Sequence, residues 1–177
     1  MDRDDTGLVV IDLQEKFLPV IPNIKEVISN AEKVIRTFKI LKMPIMITEQ
    51  YPKGLGKTVE SISKLIETEP IEKISFSCFG EEKFLESIEK LNIKNLVLLG
   101  IESHVCVLNT AIDAIKRDYV PYVVVDATSS RKKIDYETSV KRMMQEKIYL
   151  TTTEILFFQL LKKAGTPEFK EISKIIK

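Results

Sequence analysis

The chain reads as an α/β protein: a three-layer αβα sandwich around a six-stranded, mainly parallel sheet. Three observations predict it. Short apolar runs alternate with longer stretches of helical periodicity along all 177 residues. The first run, Leu8-Val9-Val10-Ile11, is continuously apolar and β-branched, the pattern of a strand buried on both faces. No repeat, linker or low-complexity segment interrupts the alternation, so one domain spanning residues 1–177 is expected.

The elements follow in order. Pro22-Asn23 opens a helix that runs to about Leu41, with Ile24, Val27, Ile28, Ala31, Val34, Ile35 and Phe38 along one face. Met43-Pro44 ends it, because the residue before a proline avoids the helical region. Ile45-Met46-Ile47 is the second strand, and Tyr51-Pro52-Lys53-Gly54-Leu55-Gly56 is a loop by its proline and glycines. A weak helix near Ser61–Ile66 precedes a short third strand, Ile71–Ser75. Glu81–Leu91 is helical, and Leu96–Leu99 is the fourth strand, closing at Gly100. His104–Arg117 forms a helix and Tyr122–Val125 the fifth strand, ending at Asp126. Asp135–Lys147 is helical, Ile148–Leu150 is the sixth strand, and Thr153–Lys163 is a helix. The tail, Pro167–Lys177, suits a last amphipathic turn or two.

Composition narrows the function. Basic and acidic side chains number 27 and 26, for a net charge of +1. No global field therefore favours nucleic acid or an anionic membrane. No apolar run is long enough to cross a bilayer. The N-terminus, Met1-Asp2-Arg3-Asp4-Asp5, lacks the basic region of a secretory signal. Two cysteines, Cys78 and Cys106, do not make a disulfide framework, and free thiols suit a reducing, cytoplasmic compartment. A single histidine, His104, argues against zinc, and no cofactor is expected.

In open sheets of this class, ligands bind beyond the carboxyl ends of the strands. The residues there include Asp12 and Gln14, Thr48 to Gln50, Glu102 to Cys106, and Asp126 to Arg131. Cys106 sits at the start of a helix, after the N-cap candidate Ser103. A helix N-terminus lowers a thiol pKa, and its free N–H groups can hold an oxyanion. The plain alternative is a small cysteine filling the helix–sheet interface. Asp12, at the mouth of a buried strand, is placed to act as a general base, or simply to cap a loop. Lys73 could pair with Asp12; spacing alone favours a solvated lysine on an edge strand. Glu49 and Asp126 read as caps and Cys78 as packing. His104 stands two residues from Cys106, a spacing that does not face it on a helix, so it reads as a surface or interface residue. Gly54-Leu55-Gly56-Lys57-Thr58 lacks the first glycine of a phosphate loop, and no G-x-G-x-x-G follows the first strand.

The stretch Leu99-Gly100-Ile101-Glu102-Ser103-His104-Val105-Cys106-Val107-Leu108-Asn109-Thr110-Ala111 resembles the nucleophile signature of isochorismatase-like hydrolases. Val10-Ile11-Asp12-Leu13-Gln14 with Phe17, Lys73 with Phe76-Ser77-Cys78-Phe79, and Val125 to Arg131 resemble its other motifs, in the same order. The likeness covers almost the whole chain and is nearest to the isochorismatase-domain-containing branch. It implies a Rossmann-like sandwich with the first and fourth strands adjacent. It implies an Asp12–Lys73–Cys106 triad and a non-proline cis peptide at Ile101–Glu102. Nicotinamidases of this superfamily hold a metal after the second strand; here the chain reads Thr48-Glu49-Gln50-Tyr51-Pro52, without histidine.

The expected activity is therefore hydrolysis of a small amide, ureide or related C–N substrate through a thioester on Cys106. Backbone N–H groups of Val105 and Cys106 would hold the oxyanion, and Gln14, Phe17, Gln50, Phe76 and Phe79 would line the pocket. The resemblance also implies a homo-oligomer, a dimer or tetramer. The competing reading is a non-catalytic protein that keeps the fold and uses it for interaction.

Overall fold

Burial on both faces is what makes a parallel sheet, and the central strands have it. The structure is a computed structural model describing residues 1–176. β1 (Thr6–Ile11) and β4 (Asn95–Ile101) are buried along their whole length. They lie side by side, flanked by β2 (Ile45–Gln50) and β3 (Ile71–Lys73) on one side. β5 (Val120–Ser129) and β6 (Tyr149–Thr151) complete the other side, in the order β3-β2-β1-β4-β5-β6. Every pairing is parallel, so the sheet is wholly rather than mainly parallel.

Side chains alternate across the sheet, as strand geometry requires. Leu8 and Val10 of β1, with Val97 and Leu99 of β4, face one core. That core is closed by α1 (Ile24–Ile40), α3 (Glu60–Ser63), α7 (Thr153–Leu161) and α8 (Pro167–Ile176). Val9, Ile11, Leu96 and Leu98 face the other core. There α4 (Glu82–Glu89), α5 (Leu108–Lys116) and α6 (Lys133–Gln145) supply Phe84, Ala111 and Met143. α2 (Pro52–Leu55) is a single turn in the loop after β2. The expected tail helix is α8, with Ile172 buried; Lys177 lies outside the described residues.

Several boundaries differ from the sequence reading. β3 stops at Lys73, because the backbone of Ile74 and Ser75 is drawn onto the Glu81 carboxylate. β5 runs on to Ser129, and its pairing with β4 shifts register between Leu98 and Gly100. The helix expected from His104 begins instead as a π-turn, Ser103–Val107, before α5.

Gly100 is required where it stands. Its φ is +122°, and a Cβ there would overlap the carbonyl oxygen of Ile11. This close approach brings the ends of β1 and β4 together, and Asp12 and the Cys106 turn follow directly from those ends.

Candidate active site

Asp12 follows β1 with φ +52°, a left-handed conformation that aspartate tolerates better than most residues. Its side chain is completely buried. Oδ1 accepts a hydrogen bond from the Thr48 hydroxyl at 2.8 Å. Oδ2 lies 2.8 Å from the Lys73 ammonium, and no hydroxyl or amide donates to it. A carboxylate in such a place is expensive to desolvate, and the ammonium is what offsets the cost.

Lys73 ends β3, and its side chain is also fully buried, not solvated on an edge. Its Nζ has five neighbours. Besides Asp12 Oδ2 these are Gln50 Oε1 at 2.6 Å, the carbonyls of Ser75 and Phe76 at 3.2 and 3.3 Å, and Cys106 Sγ at 3.4 Å. Three N–H bonds serve these five, so some are shared. Burial by itself would lower the lysine pKa, but the Asp12 carboxylate outweighs it and the net direction is up. Lys73 is a cation throughout the physiological range.

Cys106 lies in the π-turn, 6% exposed. Burial first, and then the Asp12 charge, push its thiol up to about 12, with Lys73 pulling the other way. The lowered pKa expected of a helix N-terminus is therefore absent: desolvation and a neighbouring carboxylate win over the backbone dipoles. The resting site holds a neutral thiol beside an Asp12–Lys73 ion pair.

Asp12, Lys73 and Cys106 are thus brought together, from three separate strand ends. Several other expected residues lie elsewhere. Gln14 is buried and clamps backbone: Nε2 donates to the carbonyls of Gln50 (3.0 Å) and Gly56 (2.6 Å), and Oε1 accepts from Gln50 N–H (2.8 Å). It has no amide group left for a ligand. Phe79 is buried under α4 against Phe84 and Tyr119, so it belongs to the core and not to a pocket wall. Phe17 packs against the core on the α1 side, whereas Phe76 is 61% exposed. Val105 N–H donates to the Glu102 carbonyl at 3.0 Å and is engaged there, not free for an oxyanion.

The Ile101–Glu102 peptide is cis. Ser103 does not cap the turn; its hydroxyl pairs with Ser139 at 2.7 Å. Glu102 accepts both N–H and Nε–H of Arg131, each at 3.0 Å, tying the end of β4 to that of β5. His104 lies apart from the Asp12–Lys73–Cys106 cluster, with Nδ1 2.9 Å from the Ser130 hydroxyl. Asp126 caps α7 through Thr153, and Glu49 holds Thr58. Cys78 is wholly buried; burial drives its thiol up to about 12 as well.

Two residues to which sequence reasoning gave no supporting role, Thr48 among the strand-end residues and Glu81 outside them, hold the Asp12–Lys73 pair in place. Thr48 orients Asp12, as described. Glu81 Oε1 accepts from Ile74 N–H, Ser75 N–H and the Ser75 hydroxyl at 3.0, 2.9 and 2.7 Å. It thereby fixes the turn whose carbonyls cradle Lys73. A lone glutamate opening a helix carries no local sign of such a role. Among the described residues there is no cluster of His, Cys, Asp and Glu able to hold a metal, and no helix is long and apolar enough to cross a membrane.

Two clefts open near the carboxyl ends of the strands, and only the first touches the cluster. One, about 300 Å³, runs past Tyr51, Pro52, Ile74 and Glu81 beside Lys73. The other, about 360 Å³, lies at the end of β5, between Asn23, Ser129 and Tyr136. Neither is lined by Asp12 or Cys106, so chemistry rather than volume locates the site.

A wholly parallel sheet with a buried polar cluster at the carboxyl ends of its central strands defines an α/β enzyme scaffold of the isochorismatase-like hydrolase class. The chain belongs to that family: the isochorismatase domain model matches residues 6–155. It is 40% identical over 172 residues to isochorismatase domain-containing protein 2A of Mus musculus, covering 96% of this chain and 82% of the relative. A solved structure described as MAR1 ribonuclease from Caenorhabditis elegans is 38% identical, with a TM-score of 0.93, covering 99% of this chain and 91% of that one. The ycaC gene product of Escherichia coli, described as an octameric hydrolase of unknown specificity, shares the fold at 20% identity. Its TM-score is 0.92, covering 99% of this chain and 89% of that one.

Proposed function

We propose that this protein is a cysteine hydrolase that cleaves a C–N bond in a small amide, ureide or related substrate through a thioester on Cys106. One observation carries the reading: the Lys73 ammonium lies within 3.4 Å of Cys106 Sγ and 2.8 Å of Asp12 Oδ2, in a water-poor site. A buried ion pair beside a thiol is costly to maintain unless it has work to do.

Asp12 takes the thiol proton as the sulfur attacks the substrate carbonyl. Lys73 stays protonated and balances the charge that develops on the sulfur. The oxyanion lies at the Ser103–Val107 turn, where the Cys106 N–H is the donor; Val105 N–H joins only by leaving the Glu102 carbonyl. On collapse, the C–N bond breaks and Asp12 returns its proton to the leaving nitrogen. Water, deprotonated by Asp12, then attacks the thioester carbonyl, and the sulfur leaves and regains its proton. Gln50 and Phe76 border the entrance. Free, buried Cys78 and Cys106 suit a reducing compartment such as the cytoplasm. A homo-oligomer follows the pattern of the octameric relative.

The ribonuclease named among the relatives would need a different reaction, on a phosphodiester. The net charge of +1 and the turning away of His104 give that reaction little support here.

The test is a screen of amides, ureides and carbamoyl compounds with wild type and Cys106→Ala, with mass spectrometry of quenched reactions. The expected result is turnover only in wild type, with an acyl adduct on Cys106. Equal turnover by a folded Cys106→Ala protein excludes the thioester; cleavage of RNA instead of amides excludes the substrate class.

A further inference from the structure

Gln50 is the last residue of β2, and both its side chain and its backbone are anchored. Its Nε2 donates to the Ile74 carbonyl at 2.8 Å, and its backbone N–H and carbonyl are both held by the Gln14 amide. Its Oε1 is thereby fixed at two of the reacting groups. It accepts from Lys73 Nζ at 2.6 Å, and it lies 3.9 Å from Cys106 Sγ, within reach of a thiol S–H. An amide oxygen has two lone pairs, enough for both donors.

We propose that Gln50 is a positioning residue that sets the resting protonation of the site, by holding the Cys106 S–H on its amide oxygen and one Lys73 N–H away from the sulfur. The inference rests on the thioester reading above. In the resting protein Gln50 Oε1 lies within acceptor range of the thiol at 3.9 Å, while Asp12 Oδ2 keeps a lone pair that no hydroxyl or amide occupies. When substrate arrives, the S–H turns from Gln50 Oε1 to Asp12. The S–H bond breaks, an O–H bond forms on Asp12, and the electron pair left on sulfur attacks the carbonyl. The other lone pair of Gln50 Oε1 stays with Lys73.

The side chain at this position must be neutral and must accept. A carboxylate would add a second negative charge next to the sulfur and compete with it for the ammonium. An apolar chain of the same length would release one Lys73 N–H toward the sulfur and leave the thiol proton without its acceptor. The charged groups facing Cys106 are Asp12 from the end of β1 and Lys73 from β3, and the buried Cys78 thiol faces Lys73. The two substitutions therefore change thiol reactivity in opposite directions.

The experiment is the rate of alkylation of Cys106 by iodoacetamide, read by peptide mass spectrometry between about pH 8 and pH 10. Wild type, Gln50→Glu and Gln50→Met are compared. Gln50→Glu is expected to alkylate about tenfold more slowly than wild type at each pH, and Gln50→Met about tenfold faster, one pKa unit either way. Unchanged rates, or shifts of the same sign in both variants, overturn the proposal. If Gln50→Met does not fold, an unchanged rate in the near-isosteric Gln50→Glu is sufficient to overturn it. Alkylation needs no substrate, so this result stands apart from the thioester reading. Opposite shifts, together with turnover by Cys106→Ala, would keep the Gln50 assignment and sink the hydrolytic mechanism. No shift, together with an inactive Cys106→Ala, would do the reverse.

Discussion

Lys73 Nζ and Asp12 Oδ2 lie 2.8 Å apart with both side chains fully buried, and they come from opposite sides of β2 in the sheet. Among the described residues, it is the one ion pair with both side chains fully buried. Two charges withdrawn from water are tolerated only together.

Removing one member should therefore cost more than removing both. Lys73→Met or Asp12→Asn alone is expected to destabilise the fold by about 3–5 kcal/mol, since each leaves a buried charge without its partner. The double variant should recover much of that loss. Urea unfolding of the three proteins measures it, and a double variant as unstable as the sum of the singles would refute the coupling.

The two buried thiols predict a loss of stability in alkali. Each is raised from 9.0 to about 12 in the folded chain. An unfolded thiol ionises above about pH 9 while the folded one keeps its proton, so stability falls as pH rises from there toward about 12. The contribution is fully present below pH 9. Unfolding midpoints taken across this window should fall less steeply in Cys78→Ala than in wild type. Parallel curves would mean that Cys78 is not held as a high-pKa thiol.

For the same reason, Cys106 should alkylate without a plateau near neutral pH. Its rate is expected to climb about tenfold per pH unit from about pH 7 to pH 10. Lys73→Ala should lower the rate throughout, because the ammonium is the group that pulls the thiol pKa down. A plateau below about pH 8 in wild type would show a resting thiolate and contradict the arrangement described.

Gly100→Ala should be among the most damaging small substitutions. The new Cβ meets the Ile11 backbone, and φ +122° is strained for any side chain. A loss of about 3 kcal/mol or more is expected from thermal unfolding. A shift of less than about 1 kcal/mol would mean that the ends of β1 and β4 can separate at little cost.

Glu81→Ala should loosen the 74–76 turn and with it the Lys73 cradle. Faster amide exchange at Ile74 and Ser75 is the direct readout, with thiol reactivity falling by up to about a hundredfold. The Ser75 hydroxyl, before its backbone N–H, holds the Glu81 carboxyl below its ordinary value. In wild type the turn should therefore stay closed to lower pH than an ordinary glutamate would allow. Unchanged exchange in the variant would remove Glu81 from the account.

Local pattern was enough for the scaffold; the three residues of the proposed triad were named only through resemblance to a family. Leu8–Ile11 and Leu96–Leu99 are apolar without a break because both faces of a central strand are buried, and that need is written residue by residue. The motifs around Asp12, Lys73 and Cys106 pointed to the candidate site, which the structure assembles as one buried cluster. The sequence alone did not establish that Lys73 is buried: spacing favoured a solvated lysine, and only the packing of β3 beside β2 removes it from water.

The rest was decided by tertiary structure. Gln14 and Phe79 look like pocket residues from their motifs, yet one clamps the Gln50 backbone and the other fills the core beneath α4. Glu81 and Thr48 support the site through partners 6 and 36 residues away, which no local pattern records. The thiol pKa went the opposite way to the local expectation. A helix start, visible in sequence, favours the anion, but the burial and the Asp12 charge that outweigh it exist only once three strand ends have met. Periodicity is a property of neighbours along the chain and was legible. Desolvation and charge coupling are properties of neighbours in space and were not.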